Sequence, residues 1–251
     1  MTHLGFLSMR KYAIFLVLFL IVTSLTGVGM LSGNTEINIG VNNQVNTGVI
    51  VGNNCIKGNG KVIKQQRLIG LFEKIDIDGS FNVNIVNGQE AGVEVIAEGN
   101  ILPLIRTEVR NNTLYITTDG SFCTTQPLRV NIIVRNISSI GARSASEVVY
   151  ETGTYSSDDL FINLADASEM VVSGKGQRAD IVLQDASDLD ASQFEVKDVT
   201  INTSGSSNAK IMVSGSLSAK ASDASEVYYS GNPEILKNQA LDASDIIAVD
   251  E

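Results

Sequence analysis

The feature that most constrains this chain is a five-residue block that returns six times along its C-terminal half. It reads Ser144-Ala145-Ser146-Glu147-Val148, Asp166-Ala167-Ser168-Glu169-Met170 and Asp185-Ala186-Ser187-Asp188-Leu189. Then follow Gly205-Ser206-Ser207-Asn208-Ala209, Asp223-Ala224-Ser225-Glu226-Val227 and Asp242-Ala243-Ser244-Asp245-Ile246. The central serines are 22, 19, 20, 18 and 19 residues apart. A unit of about 20 residues cannot bury an apolar face by itself, but copies stacked on one another can, which is the logic of a solenoid.

Between the blocks the apolar residues alternate with period two, as in Leu160-Phe161-Ile162-Asn163-Leu164, Ala179-Asp180-Ile181-Val182-Leu183 and Val199-Thr200-Ile201-Asn202. Short alternating runs of Val, Ile and Thr are strands. Ser-Gly turn chemistry separates them at Ser173-Gly174, Ser214-Gly215 and Ser230-Gly231-Asn232-Pro233. The prediction is an all-β solenoid of about 20 residues per turn, each turn adding about 4.8 Å along the stack. The recurring serines then face inward at a corner and hydrogen-bond along the stack, because a hydroxyl both donates and accepts.

The residue after each serine falls on the opposite face. Glu147, Glu169, Asp188, Asn208, Glu226 and Asp245 should form one exposed, mostly acidic stripe. Like charges about 5 Å apart repel by roughly 0.8 kcal/mol in water, which a solvated edge tolerates. Such an edge also discourages aggregation. The other reading is that Glu147, Glu169, Asp188, Glu226 and Asp245 hold Ca²⁺ or another hard cation between rungs. No other cofactor is expected.

The N-terminal half has the same texture with looser spacing. Strands are expected around Ile75–Ile85, Val93–Ile96, Thr113–Thr117 and Leu128–Val134, with a short helical turn at Ile101–Ile105. Asp119-Gly120-Ser121-Phe122 echoes Asp78-Gly79-Ser80-Phe81 at a distance of 41 residues, read as two turns of one solenoid. Residues 34–68 are an Asn/Gly-rich tether or extra strands, and 69–251 the solenoid domain.

Met9-Arg10-Lys11 followed by an apolar run from Tyr12 to Leu31 reads as an export signal or a retained membrane anchor over 1–33, with an N-terminal hydrophobic helix. The protein is thus expected in the cell envelope or at the surface, touching membrane only through that segment. Cys55 and Cys123 could pair in an oxidising compartment, and their spacing leaves the question open. The formal net charge of −10 argues against nucleic acid as a partner.

Phe72-Glu73-Lys74-Ile75-Asp76-Ile77-Asp78-Gly79-Ser80-Phe81-Asn82-Val83 resembles the opening of the GIN domain, the auto-transporter adhesin head domain. Glu98-Gly99-Asn100-Ile101-Leu102-Pro103, Asn112-Thr113-Leu114-Tyr115-Ile116 and the Ala-Ser-acidic blocks extend the resemblance over about 69–248. It implies a right-handed single-stranded β-solenoid (β-helix) in an exported or envelope protein, and it assigns no activity. Relatives often carry a lipidated cysteine at the signal junction. None stands here, so attachment would fall to the N-terminal helix itself.

The chain's one histidine is His3, so the domain offers no imidazole for a triad or a metal. No P-loop, dinucleotide fingerprint or CxxC pair occurs. No catalytic residues are assigned, and the chain is read as a non-enzyme. Tyr150, Tyr155, Tyr228 and Tyr229, with Lys175, Arg178, Lys210 and Lys220, would be the aromatic and basic elements of a carbohydrate groove. Otherwise they are ordinary surface strand residues. The expected role is structural or adhesive, toward a surface protein or glycan. An envelope sensor or a carbohydrate-active enzyme is the alternative.

Overall fold

A computed structural model describes residues 55–250, apart from the side chains of 154–157. The predicted export segment, its hydrophobic helix and most of the Asn/Gly-rich stretch lie outside the described residues. No helix among the described residues is long and apolar enough to cross a membrane.

The chain forms a stack of parallel rungs. In the regular part each rung is a strand, a tight turn at the serine block and a second strand. The long strands Glu147–Leu164, Glu169–Leu183, Asp188–Thr203 and Asn208–Ala221 each leave one rung's turn and enter the next. They pair in parallel, side by side, as the repeat period requires. Alternation puts one set of residues inside. On one wall Val148, Met170, Leu189, Ala209 and Val227 stack in register. On the other, Ile75, Ile140, Ile162, Ile181, Ile201 and Ala219 do. All of these are buried. The core between these walls is mainly aliphatic, with Phe81, Tyr150 and Phe194 among its few aromatics, which suits a chain with no Trp.

The turns have a conformation that the sequence hides. In each block the two residues before the serine lie at positive φ, for example Asp166 (54°) and Ala167 (59°), Asp185 (55°) and Ala186 (63°), Asp223 (58°) and Ala224 (59°). Asp tolerates this left-handed region, whereas Ala does so at a cost. The inverted backbone reverses the hydrogen-bond direction locally. Ala167 N–H donates to the Asp185 carbonyl of the following rung at 2.9 Å, while Asp188 N–H donates back to Ser168 at 3.0 Å.

The serines are buried, as expected. Their bonding differs in detail from a hydroxyl-to-hydroxyl chain. The hydroxyls of Ser168, Ser207, Ser225 and Ser244 accept the backbone N–H of the preceding serine: Ser146 to Ser168 at 3.3 Å, Ser187 to Ser207 at 3.2 Å, Ser207 to Ser225 at 3.3 Å, Ser225 to Ser244 at 3.2 Å. The rung of Ser187 breaks the line, since the Ser168 N–H donates to the Ala165 carbonyl at 3.2 Å instead. Three of the hydroxyls, those of Ser146, Ser187 and Ser207, donate to the carbonyl three residues earlier, as from Ser187 to Gln184 at 2.6 Å. The ladder is side chain to backbone because the turn tips that N–H inward.

The first rungs do not stack in chain order. Strands Lys74–Asp78 and Phe81–Asn87 pair on one side with Ser139–Arg143 and Glu147–Leu164. On the other side they pair with Thr113–Thr118 and Leu128–Val134. Residues 74–87 are therefore sandwiched between two later segments. Lys74 lies beside Thr113, so 39 residues of sequence separate adjacent rungs. The Asp-Gly-Ser-Phe echo thus marks neighbouring rungs rather than rungs two turns apart. The intervening chain supplies antiparallel strands Gly92–Glu98 and Ile105–Arg110, joined by a 3-10 turn at Leu102–Leu104 where a helical turn was expected. Val62–Arg67 adds a further antiparallel strand on Gly92–Glu98, so this part of the 34–68 segment is strand. Val62–Arg67 and Ile105–Arg110 are the outermost strands of the stack at this end.

Cys55 and Cys123 form a disulfide, with Cα atoms 5.5 Å apart. Beside it, strands Ile56–Lys57 and Phe122–Cys123 pair in parallel. Glu98, 2% exposed, holds the lobe together by accepting the Gly60 N–H and the Thr124 hydroxyl, each at 2.5 Å. A Cβ on Gly58 would stand 1.8 Å from the Glu98 carboxylate, so any side chain there would have to displace that carboxylate from its hydrogen bonds.

Candidate binding surfaces

The strand following each serine turn shows one flat outer face. Its first column runs Asn82, Glu147, Glu169, Asp188, Asn208, Glu226, Asp245, each in register with the next. All five candidate cation ligands therefore share one stripe. Asn82 and Asn208, placed between or beside the acids, donate to Glu147 at 2.7 Å and to Asp188 at 2.9 Å. The Tyr228 hydroxyl donates to Glu226 at 2.7 Å. Glu169, flanked on both sides by acids, has its carboxyl raised above the usual range by burial, then by the charges of Asp188 and Glu147. Among the described residues, no three Asp, Glu, His or Cys side chains gather as a metal-holding group. The turns themselves carry a second acidic line, Asp166, Asp185, Asp223 and Asp242, which the reading of the sequence did not single out.

Beside the acidic stripe runs a second outward column: Asn84, Val149, Val171, Asp190, Lys210, Tyr228, Ile247. Val149, Val171 and Ile247 are exposed, at 37%, 48% and 39%. The second line is mixed: Val149 and Val171 adjoin as an apolar pair, Asp190 and Lys210 interrupt it, and Tyr228 and Ile247 resume it.

The candidate groove residues scatter. Tyr150 is in the core rather than on the surface, because its position faces the same way as Val172 and Ile85. Burial pushes its hydroxyl up to about 12, against the opposing pull of the Asn87 amide. Lys175 pairs with Glu195 at 2.7 Å and Arg178 with Asp159 at 3.3 Å. The side chain of Tyr155 lies outside the described residues.

A cleft of about 300 Å³ opens near the Tyr150 hydroxyl, lined also by Glu73, Asn87, Asn136, Ser138, Asp158 and Asp159. Asn87 Nδ2 donates to the Arg135 carbonyl at 2.9 Å. Its Oδ1 is buried without a protein partner, as is nearby Thr152 Oγ1. Chemically the cleft suits a small polar group.

The family described as "Putative auto-transporter adhesin, head GIN domain" matches residues 71–233. The chain belongs to that family. Its relatives of known structure share the fold at low identity. A "putative adhesin" from Bacteroides fragilis superposes with a TM-score of 0.62 at 17% identity, covering 77% of this chain and 100% of its own. A "putative adhesin" from Parabacteroides merdae does so with a TM-score of 0.50 at 15% identity, covering 78% and 99%. No curated protein sequence matches the chain. The GIN-domain assignment agrees with the resemblance read from Phe72–Val83 and the serine blocks.

Proposed function

We propose that this GIN-domain protein is an exported envelope or cell-surface module whose solenoid binds a surface protein or glycan through its flat outer face and performs no catalysis. The observation that carries this reading is the pair of adjacent columns, acidic from Glu147 to Asp245 and apolar at Val149, Val171, Tyr228 and Ile247. Exposed apolar side chains in line on a flat, repeated surface are typical of a contact face. The ladder fixes Val149 beside Val171 and Tyr228 beside Ile247, each pair about 4.8 Å apart, so partner binding orders few extra groups. The disulfide Cys55–Cys123 fits an oxidising compartment. The adhesin description of the family points the same way.

The test compares the full chain with Val171→Glu and Tyr228→Ala variants on glycan arrays and on cell surfaces. The reading expects binding by the parent, at least ten-fold weaker binding by the double variant, and matching thermal melts. Turnover of a polysaccharide by the full chain, or binding unaffected by the double variant, would refute it.

A further inference from the structure

Exposed apolar side chains gather at the end of the stack where the described chain begins. Ile56, Val62 and Ile63 are exposed there, and the loop after Val62–Arg67 carries Leu68 at 104% and Leu71 at 85%. This loop is held at both ends. Arg67 Nη2 donates to the carbonyls of Leu102 and Ile105 at 3.1 and 3.2 Å. Glu73 N–H donates to the Asn112 carbonyl at 3.1 Å, at the far end of strand Ile105–Arg110. Between these anchors Phe72 is buried and Ile69 packs on the core, while Leu68 and Leu71 project outward. The alternation makes the loop a plug with two leucines pointing away from the protein.

Charge divides along the same axis. Residues 55–143 carry ten Lys and Arg against eight Asp and Glu, and residues 144–251 carry six against nineteen. The strands and loops of the leucine end carry Lys57, Lys61, Lys64, Arg67, Arg106 and Arg110 against Glu73, Glu94, Glu98, Glu108 and Asp119, so this end is near balance while the rest of the stack is strongly acidic. Lys64 pairs with Glu94, Arg106 with Asp119 and Arg110 with Glu108, all partly exposed; Lys57 and Lys61 have no ion-pair partner among the described residues.

From this we infer that the leucine end is a membrane-facing base, which seats Leu68 and Leu71 in the headgroup region of an anionic bilayer while the acidic stack points away. Protruding leucines flanked by basic side chains fit a lipid interface, where apolar tips enter the acyl boundary and ammonium groups remain at the headgroups. Anionic lipid attracts this end and repels the opposite one, so the same field that binds the protein orients it. A fully projecting loop tip suits a fluid, deformable partner better than a second protein surface, which needs a matching pocket. The inference rests on the envelope location proposed above. It concerns contact and orientation, which are read on purified protein whether or not export occurs.

The chain contains no Trp, so one introduced indole is an unambiguous reporter. Full-length Leu71→Trp and, as a control on the acidic stack, Phe161→Trp are mixed with vesicles of phosphatidylglycerol and phosphatidylcholine bearing brominated acyl chains. The expected result is a blue shift and on the order of two-fold quenching for L71W, since such a loop sits roughly 5–10 Å into the boundary, with neither for F161W. Quenching should fall with added salt and on phosphatidylcholine alone. If L71W melts early, Leu68→Trp takes its place. Equal quenching of the two reporters, no quenching of L71W, undiminished quenching on phosphatidylcholine, or a concentration-dependent blue shift without vesicles, which would mean self-association, each overturns the inference.

Discussion

The backbone N–H of Ser187 donates to the hydroxyl of Ser207 at 3.2 Å, and that hydroxyl donates in turn to the Ser204 carbonyl at 2.8 Å. Both serines are 0% exposed. One side chain therefore satisfies two buried backbone groups in adjacent rungs. Ser207→Ala removes both bonds and leaves the Ser187 N–H without a partner, which should cost about 1–3 kcal/mol. Chemical denaturation should show a lower midpoint with an unchanged slope. An equal midpoint would mean that the ladder contributes nothing.

The paired left-handed residues of each turn predict an inverted glycine effect. Ala to Gly in a β-protein usually destabilises by roughly 0.5–1 kcal/mol. At Ala186, with φ of 63°, the side chain is exposed and the backbone strained, so Ala186→Gly should stabilise by up to about 1 kcal/mol. A β-branched residue there should do the reverse. Thermal melts of Ala186→Gly and Ala186→Val decide the matter, and both variants moving the same way would contradict the strain argument.

Glu169 gives the stripe a pH signature. Its carboxyl is raised in the folded chain by burial and by Asp188 and Glu147. The folded state thus binds this proton more tightly than the unfolded one, and stability should rise as pH falls from neutral through the folded value. Below the unfolded value the gain is complete. Glu169→Gln should flatten this slope and raise the melting temperature at neutral pH by about 1–3 °C in low salt, the scale expected of directly opposed like charges. Salt should shrink the difference, because the stripe is exposed. Millimolar Ca²⁺ added to the parent tests the cation reading by the same melt. A rise of several degrees that Glu169→Gln reduces would favour it, and no rise would leave the stripe a solvated edge.

Glu98 should be the weak point of the disulfide lobe. Glu98→Ala strips the Gly60 N–H and the Thr124 hydroxyl of a buried acceptor, and about 1–3 kcal/mol of local stability should go with it. Hydrogen exchange should quicken in Val62–Arg67 and Phe122–Cys123 while the strands from Glu169 to Ala221 keep their protection, because rungs touch only their neighbours. Uniform loss of protection would show that the lobe and the stack unfold together.

Much of the acidic face was readable because a repeat converts sequence period into spatial register. Once Ser168 is placed inside, Glu169 must point out, and the step to Asp188 follows from the spacing. The left-handed turns were only half readable: Asp and Gly205 suit positive φ at the first position, but the Ala that follows Asp gives no such signal. Tyr150 read as a surface aromatic until its register with Val172 and Ile85 placed it inward. Val171 follows from the same alternation, since a period of two puts it on the face of Glu169, and Val149 stands beside it in register.

By itself, the sequence determined the rung length, the inward serines and the acidic line, because each depends only on residues about 20 apart and on the period of two along a strand. The tertiary structure alone decided which rungs are neighbours where the repeat is irregular. Residues 74–87 lie between 113–134 and 139–151, an order no local pattern encodes. It also decided the pairing of Cys55 with Cys123, whose 68-residue separation in sequence says nothing about the 5.5 Å between their Cα atoms. The physical reason is common to both. Period and alternation are local properties of the backbone, whereas non-local pairing is chosen by which apolar faces and chain ends can close the core together.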